Sequence, residues 1–277
     1  MIGQKTIQAI MVNAQPRFTI LVGAKGSGRK TLVNEKLFKK FQHFYKSGIS
    51  VDDVRDMIDT ATKNAGVKSL YFIPDADAMS LNAKNALLKL LEEPPRDAYF
   101  IMTLENEENT LPTIRSRATI YYMDRYSSLD LKCYMRDRWG IQDDKMQQLL
   151  IRLCSVPGEI DLLANMVTEF DEYVEKVVNN IAVVSGSNSF KIGAKINLDG
   201  DDSKFDLGLF WRGFINACMS RIKLGKEYAR SNRKYTTGIQ ITSRYIQSLR
   251  VNGVNKQMAF DNWLLDIRAE WFNYADD

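Results

Sequence analysis

The sequence predicts an α/β domain with a parallel sheet over about residues 1–125, followed by a helical remainder. Within the first 125 residues, short apolar runs alternate with segments of helical periodicity, which is typical of a parallel sheet with helices on both faces. One apolar run leads directly into a glycine-rich turn and then a helical segment. Beyond Asp124 the strand-like runs stop, and apolar residues recur at helical spacing.

Four apolar runs have the length and continuity of buried strands in such a sheet. They are Phe18–Val22, Ser69–Ile73, Tyr99–Met102 and Ala118–Met123. Helices are predicted between and around them, over about 1–15, 30–45, 51–64, 81–93 and 112–117. Ser50 and Ser80 are predicted N-caps, and Asp53 stands three residues after Ser50, which is the spacing of a capping box.

The remainder of the chain predicts two groups of helices. Three short helical segments are expected at about 129–139, 145–154 and 159–168, with Pro157-Gly158 before the third. Residues 184–206 are polar and predict a loop or a tie between domains. Residues 207–277 carry aromatic and basic residues at helical spacing and predict a small helical bundle, in which most of the aromatics form the core.

Composition excludes some classes of function. Lys and Arg together outnumber Asp and Glu by four, and charges of both signs are abundant. Net charge alone therefore does not indicate a nucleic-acid partner. Three scattered cysteines and one histidine predict no zinc site and a reducing compartment. No apolar run reaches the roughly 20 residues that span a bilayer, and no signal-peptide pattern opens the chain. We therefore expect a cytoplasmic protein without a membrane partner.

The glycine-rich turn is close to the phosphate-binding P-loop pattern. A working loop offers backbone N–H groups and a lysine to phosphates, and a hydroxyl to magnesium. The candidate cofactor-binding residues are Gly23, Lys25, Gly26, Ser27, Gly28, Arg29, Lys30 and Thr31. The glycines are correctly spaced, but Arg29 stands at the lysine position and Lys30 at the hydroxyl position. Three interpretations stay open: a simple glycine turn, a nucleotide loop that has lost competence, and a working loop with one extra residue.

The turn after the second predicted strand departs from the same pattern. A magnesium-binding carboxylate and a water-polarising carboxylate are expected there. Pro74 occupies the first position, Asp75 the second, and Asp77 lies two residues further on. Proline cannot bind a metal, so we predict no metal ligand, with Asp75 as the weak alternative. Two independent departures predict a chain that hydrolyses ATP poorly or not at all.

The most specific segment is Asn85–Pro95, a predicted amphipathic helix that two prolines terminate. Its last turn carries two glutamates, which oppose the helix dipole and so are not explained by local stability. Four segments of the chain match the bacterial clamp-loader ATPases in order and spacing. In chain order they are Ile49–Arg55, the Asp75–Asp77 turn, Asn85–Pro95 and Leu111–Ala118. The chain resembles that family of AAA+ proteins, and in particular its delta-prime-like subunits, strongly over about 1–125 and weakly beyond.

The resemblance implies a RecA-like AAA+ domain over 1–125, a helical lid over 126–180 and a helical collar over 185–277. It implies a part in DNA polymerase III replication: loading a sliding clamp on primer–template DNA. The implied partners are other clamp-loader subunits, the clamp, and DNA through the assembled complex. ATP with magnesium is the implied cofactor, with binding weak or lost in this chain.

In this family an arginine projects into the ATP site of a neighbouring subunit, and Arg117 matches that arginine finger in trans. Ala118 replaces the cysteine of the family motif, and the role of Arg115 is open. A four-cysteine zinc module is missing, and Asp161 stands near the position of the lid's nucleotide-sensing arginine. Arg117 is thus the one ATP-handling residue that the resemblance preserves.

Two other functions stay open from the sequence. The first is an active clamp-loader ATPase that uses Lys30, Thr31 and Asp75 in an atypical P-loop. The second is an AAA+-derived DNA-binding or scaffold protein with a basic surface in residues 221–234. The basic residues of that segment are Arg221, Lys223, Lys226, Arg230, Arg233 and Lys234. A solvated helix face is the simpler explanation of these charges.

Overall fold

The structure, a computed structural model, describes residues 3–13, 16–181, 190–199, 204–224, 228–249 and 253–272. It consists of two compact units. The first comprises Met1–Tyr134 and Val156–Gly158, and the second comprises Met135–Ser155 and Glu159–Asp277. The three-part division into sheet domain, lid and collar remains a prediction.

The first unit contains a five-stranded sheet in the order β2-β3-β4-β1-β5, and every neighbouring pair is parallel. The strands are β1 Phe18–Val22, β2 His43–Lys46, β3 Ser69–Ile73, β4 Ala98–Leu104 and β5 Thr119–Tyr122. All residues of β1 and β3 are buried, as continuous apolar runs predict. The four predicted strands and the parallel α/β fold are confirmed.

The predicted helix over 30–45 was too long: helical structure ends at Lys40, and the remainder was wrong. The α-helix α2, Arg29–Leu32, passes into a π-helical turn at Val33–Leu37 and a 3₁₀ turn at Phe38–Lys40. The chain then forms β2, which is an edge strand with mostly exposed side chains. An edge strand needs no continuous apolar run, so its residues gave no strand signal in the sequence.

Helices cover both faces of the sheet. They are α1 Lys5–Asn13, α3 Val51–Lys63, α4 Leu81–Glu92 and α5 Pro112–Arg115, together with the segment 29–40. On one face Met57 of α3 and Leu87 of α4 lie in a core with Phe100 of β4. On the other face Ile7 of α1 and Leu37 belong to a separate core. The sheet therefore lies between two apolar cores. Packing on both faces holds the carboxyl ends of its strands in fixed register.

Both predicted N-caps are confirmed. The Ser50 hydroxyl accepts a hydrogen bond from the Asp53 N–H, and the Asp53 carboxylate accepts one from the Ser50 N–H, which completes the capping box of α3. The Ser80 hydroxyl accepts from the Ala83 N–H at 3.2 Å and begins α4. The start of α4 is therefore set by its own sequence.

The second unit is mostly helical. Its helices are α7 Asp144–Leu153, α9 Val167–Asn180, α10 Leu207–Arg221, α11 Ala229–Ser248 and α12 Lys256–Phe272. The unit boundary passes through α6, Ser128–Trp139, and α8, Pro157–Leu163. The buried aromatics of its core include Trp211, Phe214, Trp263 and Trp271. These rings serve packing within the bundle, in line with the core role predicted for most of the aromatics.

Two predictions for this unit were wrong. The third helical segment was expected to run to residue 168, but α8 ends at Leu163 and α9 begins at Val167. Strands were not expected beyond Asp124, yet Ile196–Asn197 and Phe205–Asp206 pair as the short parallel strands β6 and β7. Two-residue strands are too short for a periodic signal in sequence. Within the same predicted loop, Phe190–Gly193 forms a 3₁₀ turn, and residues 184–189 and 200–203 lie outside the described residues.

Replacing Ser80 by Ala removes the cap of α4, and we expect it to lower the free energy of unfolding of the first unit by about 1 kcal/mol. Ser80→Asp keeps a cap acceptor and should retain stability. All four tryptophans, Trp139, Trp211, Trp263 and Trp271, lie in the second unit, so fluorescence does not report on this change. Hydrogen exchange of the β3 and β4 amides is the measurement, and equal protection in the Ala and Asp variants would contradict the prediction.

Candidate phosphate-binding loop and surface arginine

The glycine-rich loop meets two other turns at the carboxyl edge of the sheet. The loop follows β1, the turn Pro74–Asp77 follows β3, and Glu105 follows β4. The Gly23 N–H donates to the Leu104 carbonyl at 3.1 Å, which joins the ends of β1 and β4. The Asp75 N–H donates to Thr103 Oγ1 at 2.9 Å, which joins the turn to β4. Ligand sites of open α/β sheets lie at this edge.

Two glycines give the loop its path. Gly26 has φ +81° and Gly28 has φ +86°, a left-handed backbone that favours glycine. The Gly26 carbonyl accepts from the Gly158 N–H at 3.0 Å, and a Cβ built on Gly26 would lie 2.8 Å from Gly158 Cα. The Tyr126 hydroxyl donates to the Ser27 carbonyl at 2.8 Å. The loop is therefore held from outside the β1–α2 segment at two successive residues.

Arg29, at the position of the P-loop lysine, is buried with 4% of its side chain exposed. Its Nη2 lies 3.7 Å from Glu105 Oε1. Burial lowers the pKa of the guanidinium, while the charges of Glu105, Asp77 and Asp75 act in the opposite direction. Because the guanidinium stays protonated in proteins, these carboxylates are its counter-charges. Within the described residues its Nη1 has no hydrogen-bond partner.

Lys30, at the position of the P-loop hydroxyl, points to the turn after β3. Its Nζ lies 2.5 Å from Asp75 Oδ2, and both side chains are half-exposed. Asp75 has a left-handed backbone with φ +50°, which is uncommon for a residue other than glycine. The side chains of Lys25 and Thr31 are exposed, and the structure gives neither a contact with Asp75. The structure therefore brings Lys30 and Asp75 together.

Asp77 has a different role from Asp75. Its carboxylate accepts hydrogen bonds from the Glu105 N–H at 2.8 Å and the Asn106 N–H at 3.2 Å. It also accepts one from Asn109 Nδ2 at 3.0 Å. Asp77 thus holds the segment after β4 in place, including the carboxylate that faces Arg29. Sequence reasoning noted the spacing of the two acids but could not separate their roles.

These residues do not fit a magnesium–triphosphate group. The lysine position holds a buried guanidinium with its own carboxylates, and the hydroxyl position holds an ammonium in contact with the candidate metal ligand Asp75. An ammonium next to a carboxylate competes with a cation for its oxygens. Across the described ranges, no group of three or more His, Cys, Asp or Glu side chains is arranged to hold a metal. In the same ranges, no helix is long and apolar enough to cross a bilayer.

Arg117 lies just beyond α5, and its side chain is one-third exposed. Its Nη1 donates to the Thr113 carbonyl at 2.8 Å, and its Nη2 donates to Glu92 Oε1 at 2.7 Å. Glu92 is the last residue of α4. The guanidinium is thus held at the surface by the ends of two helices.

Arg115 differs from Arg117 in its surroundings. It is half-buried, and within the described residues no ion pair of its guanidinium is observed. Its charge acts on Tyr122, whose hydroxyl bonds to Glu107. That hydrogen bond is the main cause that raises the pKa of Tyr122. The two arginines of the Thr113–Arg117 segment therefore differ in their contacts: Arg117 forms an ion pair with Glu92, and no such pair is observed for Arg115 in the described part of the chain.

Sequence reasoning missed Glu105 and Glu92, the carboxylates that face Arg29 and Arg117. Glu92 did leave a signal, because an acid in the last turn of a helix has an unfavourable interaction with the dipole. Glu105 left none that was specific, since it is one of three glutamates in a short polar segment. Carboxylate partners so distant along the chain can be identified once the arrangement of the strands and helices is known.

Two of the basic residues of 221–234, Arg221 and Lys234, make contacts inside the second unit. Arg221 bonds to both carboxylate oxygens of Glu175, and Lys234 lies 4.9 Å from the ring centre of Trp271. Burial lowers the pKa of Lys234. Lys226 and the side chain of Arg230 lie outside the described residues. Asp161, the acid near the expected lid arginine, accepts from Trp139 Nε1 at 2.8 Å.

The parallel five-stranded sheet, with a glycine-rich loop after β1 and helices on both faces, defines the first unit as a parallel α/β domain with a strand–loop–helix unit at its first strand. Residues 6–127 match the family described as DNA polymerase III, delta subunit. This part of the chain resembles delta-prime clamp-loader subunits, as its sequence predicts.

Three curated relatives are subunits of DNA polymerase III. The delta-prime subunit of DNA polymerase III from Yersinia pestis is 39% identical over 80 residues, 28% of this chain and 24% of that protein. The Bacillus subtilis delta-prime subunit is 32% identical over 125 residues, 45% of this chain and 33% of that protein. The gamma/tau subunit from Mycobacterium bovis is 47% identical over 113 residues, 40% of this chain and 17% of that protein. The matched segments thus span a third or less of these relatives.

Among solved structures, a DNA polymerase III gamma subunit-related protein from Thermotoga maritima aligns with 16% identity and a TM-score of 0.47. The alignment covers 96% of this chain and 98% of that one.

Replacing Asp77 by Ala should lower the free energy of unfolding of the first unit by about 1.5–3 kcal/mol, because three donors lose a charged acceptor. Asp75→Ala is the matched control, and we expect a loss of at most about 1 kcal/mol because its partner is a half-exposed lysine. Denaturant titration followed by hydrogen exchange at Glu105 and Asn106 measures both. Equal losses in the two variants would contradict the division of roles.

Proposed function

We propose that this chain is a delta-prime-like subunit of a clamp loader that lends Arg117 to the ATP site of a neighbouring subunit. It hydrolyses little or no ATP itself. The assembled complex places a sliding clamp on primer–template DNA in the cytoplasm. The match of residues 6–127 and the names of the curated relatives support the family part of this proposal.

The proposal that this chain supplies an arginine but hydrolyses little ATP itself rests on a contrast between two cationic sites. At the loop, Arg29 and Lys30 already face carboxylates of their own chain. At the surface, Arg117 uses two of its five N–H donors on Thr113 and Glu92. Three donors remain within reach of another molecule. Arg29 is buried and so suits a structural role, whereas Arg117, although paired with Glu92, is one-third exposed and keeps donors for a phosphate.

The chemistry of the proposed role follows from guanidinium geometry. During phosphoryl transfer, negative charge shifts on the oxygens around the transferred group. A planar cation delivered from a neighbouring subunit stabilises that charge and can raise the rate by about 10³–10⁵. The arginine is needed only where a nucleotide is bound, so a subunit with a degenerate loop can still supply it.

The alternative of an active ATPase finds less support in the geometry. Lys30 and Asp75 would have to separate before either could serve phosphate or magnesium. Arg29 would remain buried at the position from which a lysine contacts phosphates. The DNA-binding alternative loses Arg221 and Lys234 to contacts inside the second unit. Clamp-loader membership with the arginine acting in trans is therefore the better proposal.

We expect the purified chain to bind ATP with magnesium at least about 100-fold more weakly than a gamma/tau subunit does, because the lysine position of the loop holds a buried arginine and the hydroxyl position holds a lysine paired with Asp75. Calorimetric titration with and without magnesium measures this. Lys30→Ala serves as the internal control and should leave the weak binding unchanged. Tight magnesium-dependent binding that Lys30→Ala abolishes would instead support the active-ATPase alternative.

Arg117→Ala should lower the ATPase rate of a reconstituted complex with a gamma/tau subunit by about 10³-fold or more at saturating ATP, which is the lower end of the range for fingers in trans. Arg115→Ala is the matched control, two residues away in the same segment, and should stay within threefold of the unmodified chain. Clamp loading on primed DNA is the second readout. An unchanged rate with Arg117→Ala would overturn the proposal, provided that the complex still assembles.

A further inference from the structure

Glu92 occupies a place that helix energetics disfavour. It is the last residue of α4 and is followed by Glu93 at the C-cap. Carbonyl groups at a helix C-terminus carry partial negative charge, so acids there are destabilising by a few tenths of a kcal/mol or more. Helix stability alone therefore explains neither glutamate.

The two glutamates differ in their contacts. Glu92 Oε1 accepts from Arg117 Nη2 at 2.7 Å across 25 positions of sequence. Within the described part of the chain, the Glu93 carboxylate makes no hydrogen bond or ion pair. The same turn thus supplies one acid with a specific partner and one without.

The second anchor of Arg117 comes from its own segment. The Thr113 carbonyl, in the single-turn helix α5, accepts from Arg117 Nη1 at 2.8 Å and from the Ser116 hydroxyl at 3.0 Å. The two anchors use different nitrogens of the guanidinium. A planar group held at two nitrogens has a defined plane as well as a defined position.

We propose that Glu92 is a positioning residue: through its bond to Arg117 it fixes the plane in which the guanidinium is presented to the neighbouring ATP site. This inference rests on the proposed function of Arg117. Glu92 acts through the arginine and does not itself contact nucleotide.

Preorganisation is the physical benefit of such a contact. A free arginine side chain carries about 2 kcal/mol of rotamer entropy, which must be lost when it engages a phosphate. Fixing the side chain beforehand removes that loss from the catalytic step, and misplacement of a catalytic group by about 1 Å can reduce a rate about 10²-fold. Because the pair is partly exposed, its net stabilisation is small, so Glu92 does not withhold the arginine from a stronger anion.

The test compares Glu92→Ala with Glu93→Ala in the full chain, reconstituted with a gamma/tau subunit. Both changes remove an acid from the same helix end, so their effects on the dipole are matched. For Glu92→Ala we expect about tenfold lower kcat for ATP with an unchanged KM. Glu93→Ala should stay within twofold of the unmodified chain. Glu92→Gln keeps an oxygen acceptor and should recover a large part of the rate.

A double variant separates positioning from a general structural role. In the Arg117→Ala background, Glu92→Ala should cause no further loss, because the residue acts only through the arginine. In the isolated chain, Glu92→Ala should speed the reaction of Arg117 with phenylglyoxal several-fold, and Glu93→Ala should not.

Three outcomes would overturn the role of Glu92 alone while Arg117→Ala still abolishes stimulation. They are equal rates for Glu92→Ala and Glu93→Ala, a higher rate for Glu92→Ala, and a further loss in the double variant. If Arg117→Ala leaves the rate unchanged, the proposed function fails and the role of Glu92 fails with it. The two failures are thus distinguished by a single variant.

Discussion

Burial of the Arg29 guanidinium at the carboxyl edge of the sheet is the constraint on which the loop region depends. A buried cation is costly unless carboxylates compensate it. Here the compensation comes from the turns after β3 and β4, and Asp77 holds Glu105 in position by accepting from its backbone N–H. The three turns at this edge are therefore coupled by electrostatics as well as by the hydrogen bonds of the sheet. In a nucleotide-binding loop the same cluster of acids would face a metal ion.

In the glycine-rich loop, the backbone path and the side-chain chemistry are set by different residues. The path of the loop is set by the left-handed Gly26 and Gly28, and these glycines have the normal spacing. The ligand-facing chemistry is set separately, by the two residues that follow. The side chains of Arg29 and Lys30 therefore determine which ligand the loop can hold, while Gly26 and Gly28 determine its path. Shape and chemistry are separable at this site.

Much of the first unit could be predicted from its sequence, because buried parallel strands and N-caps leave local signals. Phe18–Val22 and Ser69–Ile73 are apolar throughout, and Ser50 and Ser80 carry cap spacing. The edge strand His43–Lys46 left no such signal, since one side of it faces solvent. For the site, sequence supplied Arg117 through family resemblance. It could not supply Glu92 or Glu105, because those contacts depend on which helix ends and strand ends become neighbours in space.

The contact between Gly26 and Gly158 limits the residues that this chain can carry at both positions. A Cβ on Gly158 would lie 2.5 Å from Gly26 Cα, and a Cβ on Gly26 would lie 2.8 Å from Gly158 Cα. Each glycine is thus required by the backbone of the other, and neither clash can be relieved by a side-chain rotation. Two positions far apart in sequence form a single constraint. A side chain at either position would force the loop and the segment around Pro157 apart.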